Sequence, residues 1–114
     1  MIRHEDAIQS VAMSGNDVLG VTKKILIGPK DGYDGFLRVF TVEPGGHTPD
    51  HNHPWFHANY ILDGEGFICM DNKKTPVRKG SVAYIEGGKT HHFENNGKMP
   101  LTFICLVPQE GDKY

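Results

Sequence analysis

From Val21 onwards the chain is a series of short apolar runs, each closed by Gly, Pro, Asn or Asp. Val21-Thr22-Lys23-Lys24-Ile25-Leu26-Ile27 ends at Gly28-Pro29, and Phe36-Leu37-Arg38-Val39-Phe40-Thr41-Val42 stops before Pro44-Gly45-Gly46. Both read as strands, and the second is rich in β-branched and aromatic residues. Phe56 to Leu62 is a third strand, ended by Asp63-Gly64-Glu65-Gly66, and Phe67 to Met70 pairs back and ends at an Asp71-Asn72 turn. Val77, Val82 to Ile85, His91 to Glu94 and Leu101 to Val107 complete the set. No segment sustains a helical period, and turn signals recur roughly every ten residues, as a sandwich or jelly roll requires. The pattern predicts an all-β fold: an N-terminal arm over 1–20, one barrel domain over 21–108 and a C-terminal tail over 109–114.

The histidines add chemistry to that framework. Four of the seven, His47, His51, His53 and His57, fall within one short window, and His91 returns on a distant strand. On a strand, residues i and i+2 share a face, so His51 and His53 are expected to point together while Asn52 points away. Pro54-Trp55 lets the chain bend before His57. Neutral imidazole is the commonest ligand for divalent first-row metals; a site needs convergent nitrogens, and His51, His53, His57 and His91 can supply four. His47 and His92 are read as ordinary residues, since His92 should face the side of the strand opposite His91, and His4 lies in the arm.

The glycine framing around these histidines resembles that of the cupins, small double-stranded β-helix or jelly-roll barrels. Gly45, His51, His53 and Gly64 match the first cupin motif, G-x5-H-x-H-x3,4-E-x6-G, and His57 stands where the family usually has glutamate. Gly80, Gly88, His91 and Asn95 match the second, G-x5-P-x-G-x2-H-x3-N, with Glu86 in place of the proline. A fourth histidine at the glutamate position, with Phe40 to Gly46 and His53-Pro54-Trp55, is similar to the single-domain cupins with a four-histidine site. The resemblance implies a divalent transition metal, manganese in that subgroup, with iron, nickel or zinc as alternatives. Four neutral ligands leave the site at the full charge of the ion, which strengthens Lewis acidity. An octahedral ion would keep two positions open, whereas tetrahedral zinc would be closed by four histidines.

Strand alternation extends the site. Phe103, Cys105 and Val107 share one face of the last strand, and Phe93 shares a face with His91, so these four are expected to wall a substrate pocket. In the resembling cupins a phenylalanine and a cysteine at such positions line the metal pocket. Arg38 is a charge inside an apolar strand: it either contacts an anionic substrate group or makes a structural ion pair with its head in water. Trp55 is expected at the pocket mouth or at a subunit interface.

Composition narrows the function. Hydrophobic residues at 38% and charged residues at 23% are ordinary for one globular domain, and a net charge of −2 provides no basic patch for nucleic acid. No apolar run is long enough to span a membrane, and the start lacks the apolar core of a signal peptide. Cys69 and Cys105 have no C-x-x-C spacing and fit free thiols in a reducing, cytoplasmic compartment. No Ser-His-Asp triad, phosphate loop or close carboxylate pair is present. Two functions remain: a metal-dependent oxidoreductase of dioxygenase type acting on a small organic substrate, and a non-catalytic module that binds or senses a small ligand. Exposed sheet edges predict a homodimer, with Val18 to Ile27 as the exchange element.

Overall fold

The computed structural model describes residues 1–112. Nine strands run in chain order: β1 Val11–Ala12, β2 Leu19–Ile27, β3 Phe36–His47, β4 His57–Asp63, β5 Glu65–Met70, β6 Lys73–Arg78, β7 Val82–Ile85, β8 His91–Glu94 and β9 Leu101–Val107. Helical structure among the described residues is limited to single 3-10 turns at Glu5–Ala7, Pro29–Asp31 and Gln109–Gly111. None is long and apolar enough to cross a membrane. The strands form one curled sheet in the order β6-β5-β8-β3-β9-β4-β7, with β2 on the flank of β3 and β1 beyond it. All named pairs are antiparallel, so the fold is an all-β curled-sheet barrel.

The long β3 ties the two ends of the sheet together. Its first half, Phe36 to Val42, lies between β2 and β9, with Arg38 opposite Cys105 and Phe40 opposite Phe103. Its far end pairs with β8 through His47 and Glu94. Pro44-Gly45-Gly46, expected to end the strand, lies inside it. The pairing survives because Gly45 donates to the Asn95 carbonyl and Asn95 donates back to Gly46. Proline removes one ladder donor there, and Gly45, at φ 83°, takes the left-handed backbone of a bulge, so the strand bends instead of stopping.

The other turns follow their residue chemistry. Asp71 and Asn72 both have positive φ, as a two-residue hairpin between β5 and β6 requires. The core is built by alternation: Leu101, Phe103, Cys105 and Val107 of β9 are buried and meet Val42, Ile61, Ile85 and Phe93. The segment ahead of β2 folds back on its own chain through Val11 opposite Lys23 and Ala12 opposite Thr22. At the other end Asp112 returns to pair with Lys23 and Arg38. Residues 113–114 of the expected tail lie outside the described residues.

Asn95, the last residue of the second motif, is fully buried. Its Nδ2 donates to the carbonyls of Val42 and Met99, and its Oδ1 accepts from the Gly97 amide. It therefore ties β3 to the turn between β8 and β9. Asn95→Ala leaves the buried Val42 carbonyl and the part-buried Met99 carbonyl and Gly97 amide without this partner and is expected to cost about 2 kcal/mol. The exposed neighbour Asn96→Ala should stay within about 0.5 kcal/mol of the parent. Urea unfolding of the two variants at one pH checks the difference.

Candidate metal centre

His57 is the first residue of β4 and His91 the first of β8, so strand pairing fixes both. His51 and His53 are not on a regular strand, contrary to the expectation of a shared strand face. They lie in the extended segment between β3 and β4, where only His51 forms a bridge, exchanging both backbone hydrogen bonds with His91. His53 is held by the turn before β8: the Gly88 amide donates to its carbonyl, and Asn52 donates to the Gly88 carbonyl. Gly87 makes this approach possible, because a Cβ there would lie 2.1 Å from the Pro54 carbonyl oxygen.

The four imidazoles converge, with their ligand nitrogens within 4.8 Å of one another. Three of the rings are oriented from behind through Nδ1. His53 Nδ1 donates to the Trp55 carbonyl, His57 Nδ1 to Asn59 Oδ1 and His91 Nδ1 to the Lys89 carbonyl, each at 2.7 Å. A neutral imidazole that donates through Nδ1 presents a lone pair at Nε2. His57 Nε2 and His91 Nε2 lie 2.6 Å apart, a contact between two lone pairs that a proton or a cation must relieve. Asn59 in turn donates to the Ile104 carbonyl, so the His57 ring is fixed through β9. Trp55 stacks on His53 with ring centroids 4.5 Å apart, which places it against the histidine cluster.

Burial keeps the cluster neutral. Loss of solvent, with repulsion from His91, pushes His51 and His57 down to about 3. His53 and His91 are lowered too, chiefly by burial. The donor set is thus deprotonated and inward-facing at neutral pH, which is the form that binds a divalent ion. The four side chains fit such an ion.

Arg38, Phe93, Phe103 and Cys105 line the cavity beside the histidines, joined by Phe40, Met13 and Thr48. Val107 shares the β9 face but is not in this lining; its Cβ packs against Gly111 instead. Phe40, Phe103 and Phe93 form a stacked column, with centroid separations of 5.6 and 4.0 Å. Phe40 was legible as the i+2 neighbour of Arg38, whereas Met13 comes from the N-terminal segment and no periodicity pointed to it. Arg38 does not keep its head in water. It is 3% exposed, with the guanidinium 4.9 Å from the Phe40 ring centroid, 3.2 Å from Asp112 and 3.1 Å from Cys105 Sγ. β3 is flanked on both sides, so no edge lets the side chain reach solvent. Its buried Nε has no hydrogen-bond partner among the described residues. His47 and His92 stand outside the cluster.

Comparison with known proteins agrees with this geometry. A cupin domain model matches residues 38–107, more than half of the chain. The 1-methylthio-D-xylulose 5-phosphate methylsulfurylase of Rhodospirillum rubrum is 33% identical over 93 residues, covering 82% of this chain and 59% of that protein. An oxalate-binding protein of Thermotoga maritima is 34% identical over 67 residues, 58% of this chain and 55% of its own. The chain therefore spans less than two thirds of the length of these curated relatives. Among solved structures, the polyketide cyclase RemF from Streptomyces resistomycificus superimposes with a TM-score of 0.88 at 27% identity, covering 96% of this chain and 80% of that one. Both the motif-bearing strands and the inward-facing histidines fall within the matched domain, and the chain belongs to the cupin family.

Proposed function

We propose that this protein is a metal-dependent enzyme whose substrate is a small organic anion, held between the four-histidine centre and Arg38. The observation that carries the reading is one cavity lined by four neutral imidazoles and by a buried guanidinium that keeps a spare N–H. His51, His53, His57 and His91 would hold a divalent ion, which supplies Lewis acidity and open positions for oxygen donors when bound. Manganese is the metal proposed, on the strength of the motif resemblance, with iron, nickel or zinc as competitors under the Irving–Williams order. Asn59, Trp55 and Lys89 orient the imidazoles through Nδ1.

The cavity selects a small ligand. The cavity volume is about 40 Å3, and one wall is the Phe40–Phe103–Phe93 stack. A sugar nucleotide would leave polar groups unpartnered there, whereas one carboxylate meets Arg38 and a flat apolar remainder meets the phenylalanines. Among the described residues no carboxylate lines the cavity and the imidazoles would be committed to the ion, so proton transfer would fall to the Cys105 thiol, which burial holds protonated. The finer form of the proposal is an oxidoreductase of dioxygenase type. The second reading, capture of a small ligand without turnover, draws support from the relative named for oxalate binding. The two part on whether a candidate substrate is consumed by metal-loaded protein under air.

The reading extends to a homodimer in a reducing, cytoplasmic compartment. Exposed Val11, Leu19 and Ile25 on β1 and β2 support pairing of two copies there. Light scattering at micromolar concentration should give twice the chain mass; a monomer would remove that part.

Arg38→Met should weaken binding of a small carboxylate probe such as oxalate by roughly tenfold or more, the value of a charge-assisted hydrogen bond. Binding of a neutral ester of the same size should change little. Asp112 keeps Lys23 at 3.0 Å, so the variant leaves no stranded charge. Calorimetric titration of metal-loaded protein with both probes makes the comparison, and equal loss for both would assign Arg38 to structure alone.

The depressed histidines also set a pH dependence of the metal-free protein. Below about pH 6.5 the unfolded chain binds protons at these positions, while folded His51 and His57 stay neutral until about 3. Stability is therefore complete above the unfolded value and falls as pH drops through this window, with a limiting slope of about 1.4 kcal/mol per pH unit for each histidine. His92, raised by Glu94 and Asp50 against the effect of burial, opposes the trend. His57→Gln should flatten the slope between about pH 6.5 and about pH 5, read from urea midpoints in the absence of metal.

A further inference from the structure

A second set of metal-type donors lies on the opposite face of β8. Strand alternation sends His91 into the barrel and His92 and Glu94 to its outer side: His91 and Phe93 are buried, while His92 and Glu94 are partly exposed. On the neighbouring β5, Cys69 stands directly across from His92. Cross-strand partners and i+2 neighbours are the positions whose side chains meet on one sheet face. Here they meet closely. His92 Nε2 is 2.7 Å from Glu94 Oε2, Cys69 Sγ is 3.3 Å from the same oxygen, and one ligand atom from each of the three lies within 4.8 Å of the others.

The surroundings orient these groups as they would around an ion. His92 Nδ1 is 2.8 Å from Asp50 Oδ1, a carboxylate that fixes the ring and directs Nε2 at the cluster. Lys74 pairs with the other oxygen of Glu94, Oε1, at 3.0 Å and leaves Oε2 facing Cys69 and His92. A surface groove lined by Asp50, Cys69, Asp71, Thr90 and His92 gives access from solvent. A thiolate, an imidazole and a carboxylate balance the charge of a divalent ion and form a donor set suited to zinc.

We propose that Cys69, His92 and Glu94 form a second, outward-facing zinc-type site, back to back with the four-histidine centre across β8 and open to water at its fourth position. The ion takes the place of two protons, one from the Cys69 thiol and one shared between His92 and Glu94, both released to solvent. The site differs from the inner one in a measurable way, because it alone includes sulfur among its ligands. Bound there, zinc would pin β5 to β8 and so brace the strand that presents His91.

Cobalt(II) titration of the full chain followed by absorption tests this directly. The parent protein is expected to take up two ions, the second accompanied by a sulfur-to-cobalt charge-transfer band in the near ultraviolet. Cys69→Ser should abolish that band and the second ion while keeping the first, and Asp50→Asn should weaken the second ion by about 10- to 100-fold, the usual effect of losing a carboxylate behind a histidine ligand. Cys105→Ser should leave the band in place, which separates this site from the thiol beside the inner cavity. Zinc should also slow alkylation of Cys69 in the parent, a readout that needs no variant. A single cobalt equivalent without a sulfur band, or a band that survives Cys69→Ser, would overturn the proposal. Failure of the inner site would appear separately, as loss of the sulfur-free ion in His53→Ala.

Discussion

The contact between His57 Nε2 and His91 Nε2, 2.6 Å apart inside the barrel, is the constraint on which the site depends. Two imidazole lone pairs repel at that distance, and burial removes the water that would screen them. Each ring is held from the far side, His57 by Asn59 and His91 by the Lys89 carbonyl, and a cation shared by the two nitrogens would relieve the repulsion. The backbone accounts for the rest, since His91 starts β8 and exchanges both hydrogen bonds with His51. The strand pairing brings the nitrogens together, and the Nδ1 partners decide which nitrogen faces inward.

The same division of labour explains the cavity. The aromatic stack of Phe40, Phe103 and Phe93 places flat apolar surface opposite the imidazoles and excludes water from one wall. Arg38 is the exception in that wall. Burying a guanidinium demands partners, and Asp112, Cys105 and the Phe40 ring meet most of the demand, leaving Nε. Asp112 comes from the end of the described chain, so the polarity of the cavity is completed by a segment far from either histidine motif. β8 carries metal-type donors on both faces, His91 inward and His92 and Glu94 outward, which makes it the strand where the inner and outer chemistry of the barrel adjoin.

Much of the fold was legible in the residues. Alternation in Leu101 to Val107, the Asp71-Asn72 hairpin and the turn glycines placed most strands within one or two residues of their observed bounds. The errors have local causes. Pro44-Gly45-Gly46 reads as a strand end, yet two backbone hydrogen bonds to Asn95 carry the strand through it. His51 and His53 read as a strand pair, yet the chain between β3 and β4 is held by the turn at Gly87-Gly88 and not by a ladder. Val107 has the right parity but lies beyond the cavity, against Gly111.

By itself the sequence determined the all-β class and the four candidate histidines, because these rest on period and on the spacing of motif residues, which are read along the chain. Only the tertiary structure decided which imidazole nitrogen faces the centre, that Arg38 is buried over the cavity, that Met13 reaches it, and that Cys69 stands across from His92. Those outcomes depend on register between strands distant in the chain: Arg38 opposite Cys105, Cys69 opposite His92, Asp112 folded back on Lys23. Register is set jointly by bulges, turns and the burial of both partners, and a shift of one residue would send every one of these side chains to the other face.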